Sequence, residues 1–366
     1  MAIADPFARV IPAWIDAHDM DNGADSITVM SGVRIRRNID GFAFPGRCEK
    51  SELYDLAALV LGAIGRSDGW KGMDFRMMDS LDGTSRNLLL ESRMITAALA
   101  QGGPGRFLMR DDDGTISCMI NEEDHVSVSV TGSGLDLSSA LGRTEAMIDS
   151  LDIKYMRDSV LGYLTANPSY VGTGVRTFVL LHLPALDALD EMRRVCDSFG
   201  RDWKKLTLSR LFSDKNNEYG SFFLLSNRVT LSTTPGEIAG LAAEASQSLA
   251  SKELFSRHKI RASMDAEMDD RLWRAWGVLR HARKLSFSEA VNLFSLVKLG
   301  SDMGILPHIY NREWKKMVLG VQKYHLAMAA HSIIRERSEE SRVRAARFRQ
   351  FMEKKSSPAS FEVGSG

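Results

Sequence analysis

With 366 residues, 44% of them hydrophobic and 26% charged, the chain can bury one large core or two modest ones, which excludes a wholly disordered or fibrous protein. Lysine plus arginine equals aspartate plus glutamate at 47 each, so no global field draws it to nucleic acid or to an anionic membrane, and any anion site must be local. The three cysteines, Cys48, Cys118 and Cys196, are far apart and without metal-ligand spacing, the pattern of reduced structural thiols in a protein with no metal centre.

In chain order, the stretch MAIADPFARVIPAWIDAHD has acidic residues among its apolar ones and does not read as a secretory signal. No apolar run reaches the length of a membrane span, so a cytoplasmic protein is expected. Residues 31–38, SGVRIRRN, read as an extended stretch with Gly32, Arg34 and Arg36 on one face, either an anion site or a solvated edge. Residues 50–65 and 85–100 carry apolar residues at three- and four-residue spacing and are predicted helices. Between 106 and 130, RFLMR, TISCMI and HVSVSV are short, β-rich and separated by Asp/Gly turns, which predicts an antiparallel meander. Strands are predicted again at 175–183 and 220–226, and from Pro235 onward the pattern is helical. The expected architecture is α+β: an antiparallel sheet flanked by helices over residues 1–260, a helical C-terminal domain over 261–355, and a disordered small-residue tail over 356–366.

Two segments carry chemistry. In Asn121-Glu122-Glu123-Asp124-His125, three adjacent acidic residues repel one another unless cations or hydrogen-bond donors stand nearby. In the strand that follows, Val126, Val128 and Val130 face one side and His125, Ser127 and Ser129 the other, so the polar side can line a site. A solvated acidic turn is the plainer alternative. In LGYLTANPSYVGTGVR, residues 161–176, Gly172 and Gly174 permit close backbone approach, and Arg176 places a permanent cation at a strand start, chemistry suited to a phosphate or simply to packing.

The order of SGVRIRRNIDGFAFPGR, NEEDH, LGYLTANPSYVGTGVR with HLPAL, GSFFLLSNRVTL and RAWGVLRHARKLSFSEAVNLFSLVKLGSDMGIL resembles the guanidino (phosphagen) kinases. Within them LGYLTANP, SNRVTL and RAWGVLRHAR resemble the bacterial protein-arginine kinases. The resemblance implies the guanidino-kinase catalytic fold and phosphoryl transfer from ATP, with Mg2+, to a guanidino group. It implies two carboxylates, at Glu123 and Asp214 (Glu218 if the alignment slips), and nucleotide contacts at Ser31, Arg34, Arg93, Arg176 and Arg210. Asn167 stands at the substrate-loop cysteine of the family.

The same resemblance implies losses from the phosphate clamp. Gly32, Ser127 and Ser209 stand where the family carries arginines, with Arg210 beside the last, and Arg93 stands for a histidine. Three missing charge-assisted hydrogen bonds would cost about 4.5 to 9 kcal/mol, roughly three to six orders of magnitude shared between nucleotide affinity and turnover. Arg36, Arg93 and Arg210 are the cations that could compensate, and strand alternation predicts that arginines restored at 32 and 127 would face the same pocket as Arg176. The branch's C-terminal phosphoarginine-sensing motif corresponds to Glu340-Ser341-Arg342-Val343-Arg344-Ala345, without its Arg-Asp half. Two functions follow as expectations: an arginine-directed protein kinase of reduced activity, or a pseudokinase that binds or regulates protein partners. A homodimer is implied in either case.

Overall fold

The computed structural model describes residues 4–15, 26–214, 217–263, 265–330, 334 and 336–356. The segment from 357 onward, most of the expected tail, lies outside the described residues. Its main sheet has eight strands: β1 (Thr28–Arg37), β2 (Asp74–Met77), β3 (Phe107–Arg110), β4 (Ile116–Ile120), β5 (Val126–Ser133), β8 (Val175–His182), β9 (Leu206–Asp214) and β10 (Asn217–Asn227). Their order is β2-β3-β4-β5-β1-β8-β10-β9, with every pairing antiparallel. A separate hairpin, β6 (Arg157–Asp158) with β7 (Gly162–Tyr163), precedes β8.

Side-chain alternation gives this sheet two unlike faces. Val33, Ile35, Val126, Val128, Val130, Val175 and Val179 point into a core completed by α1 (Lys50–Arg66), α4 (Leu137–Asp149) and α7 (Pro235–Ala262). The other face carries Arg34, Arg36, Ser127, Ser129, Arg176 and Phe178, brought side by side by the pairings Arg34↔Ser129, Arg36↔Ser127, Arg34↔Arg176 and Gly32↔Phe178. Reciprocal caps start two of the flanking helices, Glu49 with Glu52 at α1 and Thr234 with Glu237 at α7, where Pro235 occupies the first turn.

The remaining helices are α2 (Gly83–Glu91), α3 (Ala97–Ala100), α5 (Pro184–Ala188), α6 (Met192–Asp202), α8 (Ala266–His281), α9 (Phe287–Asp302), α10 (Asn311–Gly320), α11 (Lys323–Ala329) and α12 (Arg337–Ser356). The C-terminal ones pack onto the sheet itself. Trp276, Phe294, Trp314 and Phe348 share one apolar cluster with Val29, Met30, Leu180 and Phe222. Each fully buried ring contributes about 1.5–3 kcal/mol, and the polar amide of the sheet joins in: Gly220 N–H donates to Asn292 Oδ1 at 2.5 Å. Among the described residues no helix is long and apolar enough to cross a membrane.

Two predicted elements differ. The helix expected over 85–100 is broken into α2 and α3 by Arg93, whose backbone is left-handed at φ 65°, and Thr96 caps the restart by accepting the Leu99 N–H. The apolar spacing there reports burial in one cluster of Leu88, Leu89, Met94, Ile95 and Leu99, not a continuous helix. Residues 206–214, not foreseen as a strand, form β9 and pair with β10, which begins at Asn217 rather than at 220.

Candidate active site

The turn between β4 and β5 gives each residue of the acidic run a different job. Asn121, left-handed at φ 54°, donates from Nδ2 to the carbonyls of Leu53 (2.7 Å) and Gly105 (2.8 Å). Glu122 accepts from Thr96 Oγ1 at 2.5 Å. Asp124 is fully buried and accepts from Asn38 Nδ2 at 2.6 Å and from the Ala166 N–H at 2.7 Å; burial holds its carboxyl above the usual range against these donors. His125 accepts the Ile39 N–H at Nδ1 (2.9 Å), so the proton is assigned to Nε2, which donates to the Ala43 carbonyl at 2.8 Å. Burial pushes this imidazole down to about 4, and it is neutral near pH 7. Asp124 and His125 thus fasten the 38–43 and 164–166 segments, while Glu123 is the exposed carboxylate of the run.

Glu122, Glu123 and Asn167 stand where two clefts meet. One, about 1130 Å³, opens between the 44–47 and 101–106 segments. The other, about 690 Å³, lies on the polar face of the sheet and is lined by Arg34, Arg36, Arg93 and Arg176. Partial burial, and then the neighbouring Glu122, hold the Glu123 carboxyl above its ordinary range, opposed by Arg36 and Arg34. Burial, then the charge of Arg36, pushes Arg34 down to about 10; burial alone does the same to Arg93.

Arg36 is 3% exposed. Its guanidinium lies 4.2 Å from the Tyr170 ring centroid, and its Nε is 3.6 Å from Asp124 Oδ2. Among the described residues Nε and Nη1 have no hydrogen-bond partner. Arg176 donates to the Tyr170 hydroxyl and, at 3.3 Å, to Ser226 Oγ. A cleft with this many guanidinium groups facing so few carboxylates attracts anions.

The glycine loop serves packing. Gly174 is left-handed at φ 67°, and a Cβ there would stand 2.6 Å from the Arg36 carbonyl oxygen, so the close approach is to β1. The docked loop presents Asn167, whose Oδ1 accepts the Ser169 N–H at 3.0 Å and caps the short turn Pro168–Tyr170.

Of the residues singled out in the sequence, Glu123, Arg34, Arg93, Arg176 and Asn167 line the second cleft together. Ser31 does not: one residue out of phase with Gly32 and Arg34, it turns to the opposite face and accepts the Asp136 N–H at 3.0 Å. Arg210 also points away from the cleft. It pairs in register with Phe223 on the apolar face, lies 2.6 Å from Asp187 and covers the Phe223 ring at 4.6 Å, so it does not replace an arginine at Ser209. Asp214 ends β9, paired with Asn217 at the hairpin tip; its side chain and that of Glu218 lie outside the described residues.

Tyr170 and Phe178 line the cleft although neither is assigned a role there from the sequence, and Glu122, noted only as part of the acidic run, lines it too. Phe178 follows Arg176 by two in β8, a spacing that could have placed it on the cleft floor. A Cβ on Gly32 would meet Phe178 Cζ at 2.6 Å and the Val130 carbonyl oxygen at 2.7 Å, and Ser127 is fully buried opposite Arg36. Restored arginines would therefore not simply enter the cleft: position 32 is filled by the ring, and Leu180, Leu211 and Leu224 extend the apolar floor. The C-terminal motif is also internal, with Arg344 2% exposed, donating to the carbonyls of Val321 (2.9 Å) and Leu285 (3.0 Å) and paired with Glu340. Among the described residues no group of three or more His, Cys, Asp or Glu is placed to hold a metal ion.

Comparison with known proteins finds relatives over most of the chain. A family model described as ATP:guanido phosphotransferase, C-terminal catalytic domain, matches residues 56–254, and one for the protein-arginine kinase McsB C-terminal domain matches residues 265–362. The chain is 31% identical over 337 residues to a protein-arginine kinase of Syntrophomonas wolfei, covering 91% of this chain and 93% of that one. It is 30% identical over 328 residues to one of Halothermothrix orenii, covering 89% and 92%. Among solved structures, lombricine kinase aligns with a TM-score of 0.54 at 18% identity, covering 68% of this chain and 69% of that one. The duplicated taurocyamine kinase of Schistosoma mansoni aligns with a TM-score of 0.55 at 22% identity, covering 64% of this chain and 34% of that one. These likenesses identify the guanidino-kinase fold, and the sequence matches carry the assignment further: the chain belongs to the ATP:guanido phosphotransferase family, in its protein-arginine kinase branch.

Proposed function

We propose that this chain transfers the γ-phosphoryl group of ATP to the guanidino group of arginine side chains in cytoplasmic proteins, with a nucleotide clamp weaker than a full set of arginines would make. The observation that carries the reading is the place of Glu123, at the junction of a large open cleft and a cleft lined by four arginines. The name of the relatives, protein-arginine kinase, supports protein-bound arginine as the acceptor.

The donor set fits a polyphosphate. Arg36 has two nitrogens without hydrogen-bond partners among the described residues, and Arg93 is a cation raised in energy by burial; both are stabilised by an anion. Arg34, Arg36, Arg93 and Arg176 would hold the phosphates, and the nucleotide would supply the electrophilic phosphorus together with its magnesium ion. Glu123 would orient the incoming guanidinium and take its proton as the nitrogen–phosphorus bond forms. A guanidinium is too weak an acid to lose that proton first, and a carboxylate held above its usual range is a stronger base. Positioning and charge stabilisation supply the rest.

A second reading, a pseudokinase that binds without turning over, is favoured by Phe178 filling the space at Gly32 and by Arg210 being turned to Asp187. Incubation with Mg·ATP and an arginine-rich protein, followed by mass spectrometry for phosphoarginine, separates the two. The kinase reading expects modified arginines with the wild type and none with Glu123→Gln. Nucleotide binding without any phosphoarginine would replace it by the second.

A further inference from the structure

We infer that Glu91 and His325 form a positioning pair through which the C-terminal helices hold Arg93 in the arginine-lined cleft. Arg93 needs such support. Its backbone is left-handed at φ 65°, a conformation that is strained for a non-glycine residue, and burial lowers its affinity for its own proton. Among the described residues no carboxylate pairs with its guanidinium. The restraint comes from the residues just before it.

Glu91, the last residue of α2, reaches α11 from the far end of the sequence. Its carboxylate accepts the N–H groups of Tyr324 (3.0 Å) and His325 (3.1 Å) and takes His325 Nδ1 at 2.7 Å. It so satisfies free amides at the start of α11. Ser92 Oγ stands 3.4 Å from His325 Nε2, and the Ser92 carbonyl accepts from Trp14 Nε1 at 3.1 Å. Both residues preceding Arg93 are therefore bolted to other parts of the fold, and the imidazole lies between them. Glu91 and Arg93 also border one small void of about 20 Å³ with Lys315 of α10 and Gln322, just before α11, so Arg93 stands between that void and the cleft.

The consequence for nucleotide binding rests on the phosphoryl-transfer reading; the positioning itself does not, and the test keeps them apart. Amide hydrogen exchange reports the local structure. The Arg93 and Met94 N–H groups donate to the carbonyls of Leu90 and Leu89 at 3.0 Å, and these should exchange faster in Glu91→Gln and in the milder His325→Gln, with the rest of the sheet unchanged. Unchanged exchange at 92–95 in both folded variants overturns the inference. Calorimetric titration with Mg·ADP then tests the coupling. Glu91→Gln should weaken binding by roughly 2- to 30-fold in the wild-type background and leave it unaltered in Arg93→Ala, because a residue acting through Arg93 has nothing to act on once it is gone. An equal loss in both backgrounds would make Glu91 a general structural residue and contradict its role. If the wild type itself takes up no Mg·ADP, the phosphoryl-transfer reading falls, and hydrogen exchange alone still decides the positioning.

Discussion

The acidic turn at 121–125 and the sheet floor beneath the second cleft belong to one site but are held by different forces. In the turn every polar residue except Glu123 is fixed by named hydrogen bonds, to Leu53, Gly105, Thr96, Asn38, Ala166, Ile39 and Ala43. On the floor, the side chains at 178, 180, 211 and 224 are apolar and offer packing in place of hydrogen bonds, and the Phe178 ring fills the space beside Gly32. A hydrogen-bonded turn tolerates little change, because each lost partner leaves a buried polar group unpaired. A packed floor asks only for matching volume and can exchange a cation for a ring. The turn therefore keeps its chemistry as a by-product of folding, whereas the clamp can be thinned without disturbing the fold.

The largest effect expected on this contrast is at Glu123. Glu123→Gln should lower phosphoarginine formation by roughly 10²- to 10⁴-fold while the melting temperature stays near that of wild type, since the side chain is exposed. A variant that keeps half its activity would show that the turn supplies no base.

The buried end of the same turn should answer to pH instead. The imidazole of His125 is held at about 4 in the folded protein against an ordinary 6.5. The unfolded chain therefore binds the proton first, and stability is lost as pH falls from 6.5 to about 4. The full loss is about 3 kcal/mol, read as a difference in denaturant midpoint between wild type and His125→Gln across that window. Parallel pH profiles for the two proteins would mean that His125 is not a neutral anchor.

The smallest effect sharpens the account of the floor. Gly32→Arg must displace Phe178 or the β5 backbone, so it should destabilise the fold by about 1–3 kcal/mol and add nothing to nucleotide affinity. Tighter Mg·ADP binding in a stable Gly32→Arg protein would show that the ring yields and that the clamp is repairable by one change.

Much of this was legible in the sequence, and the misses have physical causes. Glu123, Arg34 and Arg176 follow from the family resemblance, and strand alternation together with the need of an acidic run for nearby cations adds a physical reason for such a grouping. The same alternation puts Ser31 on the wrong face, a contradiction that motif matching passes over. Arg210 was misplaced because residues 206–214 were not recognised as a strand, so the face of each residue was undefined. The break at Arg93 left no local signal: an arginine in the left-handed region between two stretches of helical spacing is imposed by tertiary contacts such as that of Glu91 with α11. For the same reason Asp124 and His125 looked in the sequence like companions of Glu123 rather than its anchors.

The central claim is that the guanidinium groups of the second cleft hold a nucleotide next to Glu123. Calorimetric titration of the wild type and of Arg176→Ala with Mg·ADP tests it most directly. The account predicts saturable binding by the wild type, weakened by added salt because the contacts are ionic, and reduced roughly 10- to 150-fold in Arg176→Ala through loss of about 1.5 to 3 kcal/mol of charge-assisted hydrogen bonding. No heat from a folded wild type, or equal affinity in the two proteins, would contradict it.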